Sequence, residues 1–274
     1  MVELSRARTP ARLPGLVDSH CHLQDPAFDP DRDAVIERAL AAGVERLLVP
    51  GYDLPSSRAA VALAAAHPGT IQAAVGIHPH FAAEASEAAW DELAALAEAT
   101  AVVAVGEIGL DFHRNLSSPQ AQRAAFDRQL ALAARLDKPV LVHDREAHAE
   151  IREALLGHRT SGRNKTIRGV LHAFSGDASM AAELTAAGYL ISFALPVAFR
   201  SAAGPRAAAQ AIPSGSFLVE TDSPWLAPGG AAQRNEPTTA LRVAAELARL
   251  RGVAAEVIAA EVRIAYERLV GMSD

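Results

Sequence analysis

The strongest constraint on this chain is an alternation that runs along its whole length. Short apolar runs rich in Val, Ile and Leu occupy residues 16–21, 45–50, 71–77, 102–108, 139–143, 168–173, 189–193 and 216–221, and alanine-rich stretches fill the intervals. Runs this short and this continuously apolar are expected of strands covered on both faces, as in a parallel sheet. Alanine disposes the intervals to helix. Asp31 is the expected N-cap of a helix ending at Gly43, Ser86 opens another to about residue 99, and Ser118-Pro119 reads as N-cap plus first helical position of a long stretch to Asp137. Two more helical stretches, 238–251 and 254–270, follow the eighth run. Eight strand–helix alternations in roughly 250 residues predict an α/β fold, a (β/α)8 TIM barrel. The alternative is a doubly wound open sheet, which would set the strand ends in a line rather than a ring.

A single domain is expected over 1–274, with residues 1–15 forming an irregular N-terminal extension. The polar segment 157–169 joins a helix to a strand, so it is expected as a loop on the face remote from the strands' C-terminal ends.

Those C-terminal ends carry the chemistry. His20 and His22 stand in LVDSHCHL, Glu107 in VVAVGEIGL, His143 in PVLVHDR, His172 in GVLHAFSG and Asp222 in FLVETDSP, each closing an apolar run. In a (β/α)8 barrel that face holds the active site, so residues distant in sequence converge. Imidazoles and carboxylates together are the donor set for divalent metals such as Mg²⁺, Mn²⁺ or Zn²⁺. His20 and His22 are two apart and on a strand would point the same way. Asp18, on that same face, is expected to orient a ligand imidazole.

Each residue has a plainer reading. A His-x-His pair can be two polar residues in a loop mouth. A buried Glu can be paired with an arginine, yet a carboxylate in an apolar strand is costly unless it is paired or binds metal. His143 or His172 alone would be a satisfied core histidine, and Asp222 a helix cap. Together, at the ends of different strands, they favour ligation, with Asp222 also taking a proton from an attacking water. His78 and His80 in GIHPH could touch metal or substrate, and Pro79 between them breaks the strand. They are assigned to substrate binding, with Arg145 and Arg114 as candidates for a phosphate oxygen. Arg234 is another candidate.

Some chemistries are disfavoured. Only Lys138 and Lys165 are present, one at the start of the fifth run and one in the polar segment, so a lysine bridging two metals is not expected and Glu107 is the bridging candidate. Cys21 is expected to face the helix layer, and Ser223 lacks the context of a nucleophile elbow. A formal net charge of -6 argues against a broad grip on duplex phosphates, though bound metal would add local positive charge. One cysteine, no apolar leader and no run long enough to span a bilayer point to a cytoplasmic chain with no membrane partner, expected as a monomer.

With these residues in place, the chain resembles the TatD-family metal-dependent deoxyribonucleases, a branch of the amidohydrolase superfamily. The resemblance runs from Asp18 to the C-terminus through DSHCHL (18–23), GIHPH (76–80), GEIGLDF (106–112), KPVLVHDREA (138–147), GVLHAFSG (169–176), ETDSPWLAP (220–228) and RNEP (234–237). It implies two divalent ions, one held by His20, His22, Glu107 and Asp222, the other by Glu107, His143 and His172. It also implies hydrolysis of DNA phosphodiesters at single-stranded ends, with Asp222 and Glu107 as catalytic carboxylates. Phe112-His113 and Asp144 depart from the commoner family residues and leave the ligand set intact. Two rivals remain at this stage. One is a hydrolase of an ester or amide such as a D-aminoacyl-tRNA ester, and the other is a binding protein with a vestigial site.

Overall fold

The computed structural model describes residues 7–158, 167–230 and 232–272. Most of the polar segment expected as a loop therefore lies outside the described residues, as do residues 1–6 of the N-terminal extension. Residues 7–15 carry no helix or strand, and the segment is anchored where Leu13, fully buried, donates its N–H to Ala42 O at 2.8 Å.

Eight strands follow in chain order: β1 (Leu16–Asp18), β2 (Val44–Pro50), β3 (Ile71–Val75), β4 (Val102–Asp111), β5 (Val140–Arg145), β6 (Gly169–Leu171), β7 (Tyr189–Phe193) and β8 (Phe217–Val219). Each pairs in parallel with the next, in the order β1 to β8. The ring closes just past the strand ends, where Ser19 N–H donates to Val219 O at 2.9 Å and Asp222 N–H to His20 O at 2.9 Å. Every residue of β1, β6, β7 and β8 is buried, as a sheet covered on both faces requires. The fold is the (β/α)8 barrel, and the open sheet is ruled out by this closure.

The helices α1 (Arg32–Ala41), α2 (Leu54–Ala66), α3 (Glu87–Leu96), α4 (Pro119–Leu136), α5 (His148–Gly157), α6 (Ala178–Ala186), α7 (Ala203–Ala211), α8 (Ala240–Arg251) and α9 (Ala255–Val270) form the outer layer. Local chemistry sets their starts. Ser86 accepts from Ala89 N and Ser118 from Ala121 N, as their positions in the sequence predict. In α2, Asp53 Oδ1 accepts from Ser56 N at 2.7 Å and Ser56 Oγ accepts from Asp53 N at 2.9 Å, a reciprocal cap that fixes the turn after β2. Asp31 departs from expectation. It stands at the N-cap of α1 but makes no cap hydrogen bond, because its carboxylate is drawn to Arg234 and Arg38.

Strand lengths differ from the apolar runs in an instructive way. β6 and β8 stop at three residues, although the chain after each keeps a bond to its neighbour, His172 N–H to Val142 O at 3.0 Å and Glu220 N–H to Phe193 O at 3.1 Å. β4 instead runs on to Asp111, so Glu107 lies within the strand rather than at its end.

Candidate metal centre

Glu107 owes its position to an irregularity in β4. The β4–β5 register passes from Val105 opposite Val140 to Ile108 opposite Val142, so three residues on β4 match two on β5. This β-bulge takes Glu107 out of the ladder, and its N–H donates across the barrel mouth to Gly51 O at 2.9 Å. Gly76 makes the arrangement possible: a Cβ there would come within 2.7 Å of Gly106 C and 2.9 Å of Glu107 N.

The two carboxylate oxygens of Glu107 face different imidazoles. Oε1 lies 3.0 Å from His143 Nδ1, 3.2 Å from His172 Nε2 and 3.4 Å from His78 Nε2. Oε2 lies 3.4 Å from His20 Nε2 and 3.6 Å from His22 Nε2. Asp222 stands on the Oε2 side, its Oδ1 3.5 Å from His22 Nε2 and 3.8 Å from His20 Nε2. Three overlapping groups result: His20 with His22 and Asp222, His20 with Glu107 and His172, and His78 with Glu107 and His143. Within each, the donor atoms lie within 4.8 Å of one another.

The chain beyond β1 stays extended and bonded on both sides, with Cys21 N–H donating to Leu48 O and His22 N–H to Ser223 O. The side chains of His20 and His22 thus share a direction, and their Nε2 atoms lie 3.0 Å apart. Cys21 between them is fully buried, its thiol 3.7 Å from Leu48 O. Asp222 and Ala173 follow their strands with left-handed backbones at φ 54° and 43°. Such conformations cost a non-glycine residue about 1–3 kcal/mol and cluster at functional sites.

The hydrogen positions make these donors fit a cation. His22 Nδ1 is 3.0 Å from Pro50 O, a carbonyl that can only accept. The proton therefore sits on Nδ1, and a neutral ring aims its Nε2 lone pair at Asp222 and Glu107 oxygens. His172 is held in the same way, with Nδ1 3.1 Å from Glu220 Oε1, and its Nε2, 3.2 Å from Glu107 Oε1, carries a proton where a cation would otherwise stand. Lone pairs aimed at carboxylate oxygens repel unless a proton or a cation lies between them, so the residues fit a bound divalent ion.

Charge follows the same logic. Burial works to raise the Glu107 carboxyl, but His172, His78, His20 and the hydrogen bond from His143 hold it well below its ordinary value. Burial would raise Asp222 too, and the His22 hydrogen bond with His172 and His20 lowers it. Burial pushes His20 down, helped by His172, and pushes His78 down to about 4. Burial opposes charge on His172 as well, yet Glu107 and Glu220 raise it well above its usual value. Without metal, then, protonated His172 supplies positive charge that keeps the carboxylates ionised, and a divalent ion bound among these donors would take over that role.

Several placements differ from the sequence expectation. Asp18 touches no imidazole; it accepts from Thr221 Oγ1 at 2.6 Å, Thr221 N at 2.9 Å and His20 N at 3.3 Å, so it clamps backbone to backbone. His78 stands among the candidate ligands and not apart from them. His80 Nε2 lies 2.7 Å from Asp111 Oδ2, which is also 3.5 Å from His143 Nε2. Arg114 sits on the loop after β4, where its backbone N–H donates to Asp111 Oδ1. Arg145 ends β5 and has no ion-pair partner among the described residues. Arg234 is not free for a phosphate, because its guanidinium binds Asp31 and Glu236 and lies over the Phe28 ring. Lys138 donates to Val102 O at 2.6 Å near the start of β4, at the opposite end of the barrel; Lys165 lies outside the described residues. The residues that sequence reasoning passes over are Glu220 and Asp111, both buried carboxylates behind the histidines.

The mouth opens into a groove of roughly 1010 Å³ between the loops after β5, β6 and β7. His143, His172 and Asp222 form its floor, with Arg145, His148 and Phe174 on its walls.

A (β/α)8 barrel with this convergence of imidazoles and carboxylates at its strand ends belongs to the metal-dependent hydrolases. The family is specific. Residues 17–271 match the model for TatD related DNase, and the chain belongs to that family. It is 37% identical over 260 residues to the 3'-5' ssDNA/RNA exonuclease TatD of Erwinia tasmaniensis, covering 93% of this chain and 99% of that one. It is 36% identical over 248 residues to the uncharacterized metal-dependent hydrolase YabD of Bacillus subtilis, covering 89% of this chain and 94% of the relative. Among solved structures, the TatD homolog YJJV of Escherichia coli superposes with a TM-score of 0.86 at 32% identity, over 94% of this chain and 98% of the other.

Proposed function

We propose that this protein hydrolyses phosphodiester bonds of DNA at single-stranded ends, using two divalent cations, Mg²⁺, Mn²⁺ or Zn²⁺. The observation that carries the reading is the orientation of Glu107, each of whose oxygens faces its own set of imidazoles. His20, His22 and Asp222 would hold one ion on the Oε2 side. His143 and His172, with His78 beside them, would hold the other on the Oε1 side, and Glu107 would bridge. When bound, such ions supply Lewis acidity toward the phosphate and a nucleophilic water at neutral pH.

The chain's own groups do the rest. Asp222 is the most exposed of the site carboxylates and reaches the groove, so an incoming water meets it first. Being ionised, it accepts the water's proton as general base. Glu220 and Pro50 O hold His172 and His22 in the tautomers that present Nε2 to the centre. Arg145, unpaired at the groove wall, receives a phosphate oxygen, and His80 lies beside the centre on Asp111. Arg114 serves a more distant phosphate. The relatives named as exonucleases of single-stranded DNA and RNA support the substrate class.

The lone, buried Cys21 supports a cytoplasmic setting. No helix among the described residues is long and apolar enough to cross a membrane.

The test is a metal-dependence series on 5′- and 3′-labelled single-stranded DNA, with His20→Ala and Asp222→Ala. Metal-dependent cleavage abolished in both variants is expected. Cleavage that persists in both overturns the site, and turnover of a D-aminoacyl ester without turnover of DNA overturns the substrate.

A further inference from the structure

The side of the mouth formed by the loops after β2, β3 and β8 carries a strip of aromatic rings that the hydrolytic reading does not use. Phe81 stacks on Tyr52 with centroids 5.7 Å apart at 26°. Tyr52 meets Trp225 at 6.3 Å and 66°, and Trp225 meets His22 at 4.8 Å and 67°. The strip therefore runs from the rim to a candidate metal ligand, although aromatic residues are only 5% of the chain.

Trp225 is its exposed member. Of all the Phe, Tyr and Trp side chains, it alone is exposed, at 47%. The backbone that carries it is pinned. Trp225 N–H donates to Asp222 O at 2.9 Å, and the buried Asn235 donates from its backbone to Pro224 O and from its side chain to Thr221 O, both at 2.9 Å. Tyr52 is tied by its hydroxyl to Asp25 Oδ2 at 3.3 Å. A held indole with one edge on His22 leaves an apolar face to water next to an otherwise polar centre. Such a surface is kept where a flat apolar ligand covers it.

We propose that Trp225, backed by Tyr52 and Phe81, is a stacking subsite for a nucleobase of the nucleotide adjoining the scissile phosphate. This rests on the phosphodiesterase reading. It adds the origin of the single-strand preference: a base already stacked in a duplex cannot offer its face to the indole. It also predicts tolerance of base identity, because the strip offers π-faces rather than a hydrogen-bonding edge.

The test measures binding by the metal-free protein, so that no cleavage intervenes. Anisotropy is read for a fluorescein-labelled thymidine homopolymer and for an abasic chain of equal length and charge. The wild type should prefer the base-bearing chain by about tenfold or more. Trp225→Phe should keep most of that preference, and Trp225→Ala, with unaltered thermal unfolding, should bring the two affinities together. Equal affinities in the wild type, or a preference that survives Trp225→Ala, overturn the proposal. A base preference that depends on Trp225 in a protein that cleaves no DNA with any metal leaves the subsite standing and removes the phosphodiesterase reading.

Discussion

Glu220 Oε1 lies 3.1 Å from His172 Nδ1 and also accepts the Ala173 N–H, so one buried carboxylate fixes both the ring and the backbone that carries it. Its other oxygen is buried and finds no hydrogen-bond partner among the described residues. A group held this expensively in the interior serves its neighbour: it selects the His172 tautomer and makes Nε2 a better donor.

Glu220→Gln should therefore weaken binding of the ion on the His172 side by about 10–100-fold, with a matching loss of turnover, while the barrel stays folded. Isothermal titration of Mn²⁺ or Zn²⁺ into the stripped protein reads the effect directly. Wild-type affinity in both Glu220→Gln and Glu220→Ala would mean that His172 needs no orienting partner.

Glu107→Gln removes the one charge that both imidazole sets face. Metal content after dialysis against excess cation should fall from two ions to at most one, and hydrolysis should fall by more than about a hundredfold. Elemental analysis alongside kinetics settles it, and two retained ions would show that the bridge lies elsewhere.

Arg145 and Arg234 make a contrasting pair. Arg145→Ala should raise KM for single-stranded DNA by roughly tenfold, the scale of one charge-assisted hydrogen bond, with little change in denaturant midpoint. Arg234→Ala should do the reverse, lowering the midpoint with KM unmoved, because its guanidinium is spent on Asp31, Glu236 and the Phe28 ring. A KM effect for Arg234→Ala and none for Arg145→Ala would exchange their roles.

Acid should release one surface tie in a defined window. Arg234, with Arg38 assisting, holds the Asp31 carboxyl down at about 2. A depressed folded-state value means that stability is fully present above the unfolded value of about 3.9 and is lost as pH falls through about 2. The urea-midpoint difference between wild type and Asp31→Asn should be constant near neutrality and shrink toward zero across that interval. A difference that grows on acidification would contradict the ion pair.

How far the sequence foretells this architecture depends on what each residue answers to. β7 is readable to the residue, because Tyr189–Phe193 is apolar but for Ser192 and Pro196 soon afterwards ends the extended run. The convergence of His20, His22, Glu107, His143, His172 and Asp222 follows from the barrel, since strand ends in a ring must meet. The bulge at Glu107 is not legible, because it depends on the close approach of Gly76 from the neighbouring strand. Asp31 sits where a cap belongs, yet a guanidinium distant in sequence outbids the helix for its carboxylate. Glu220 and Asp111 are hidden for a different reason. In one dimension a buried carboxylate looks like a strand's polar end, and only the imidazole behind it reveals its work. His78 joins the centre because Pro79 sets a short turn after β3, which sequence alone reads as a break.

The clamp between Asp18 and Thr221 spans 203 positions of the chain. A growing polypeptide carries His20 and His22 from its earliest moments and gains Glu107 with the fourth strand, but it lacks Asp222, and the Thr221 that clamps Asp18, until the eighth strand has left the ribosome. A chain interrupted before β8 has neither the Asp222 carboxylate nor the far half of the clamp, so the mouth of the barrel takes its full shape only when the last strand joins the first.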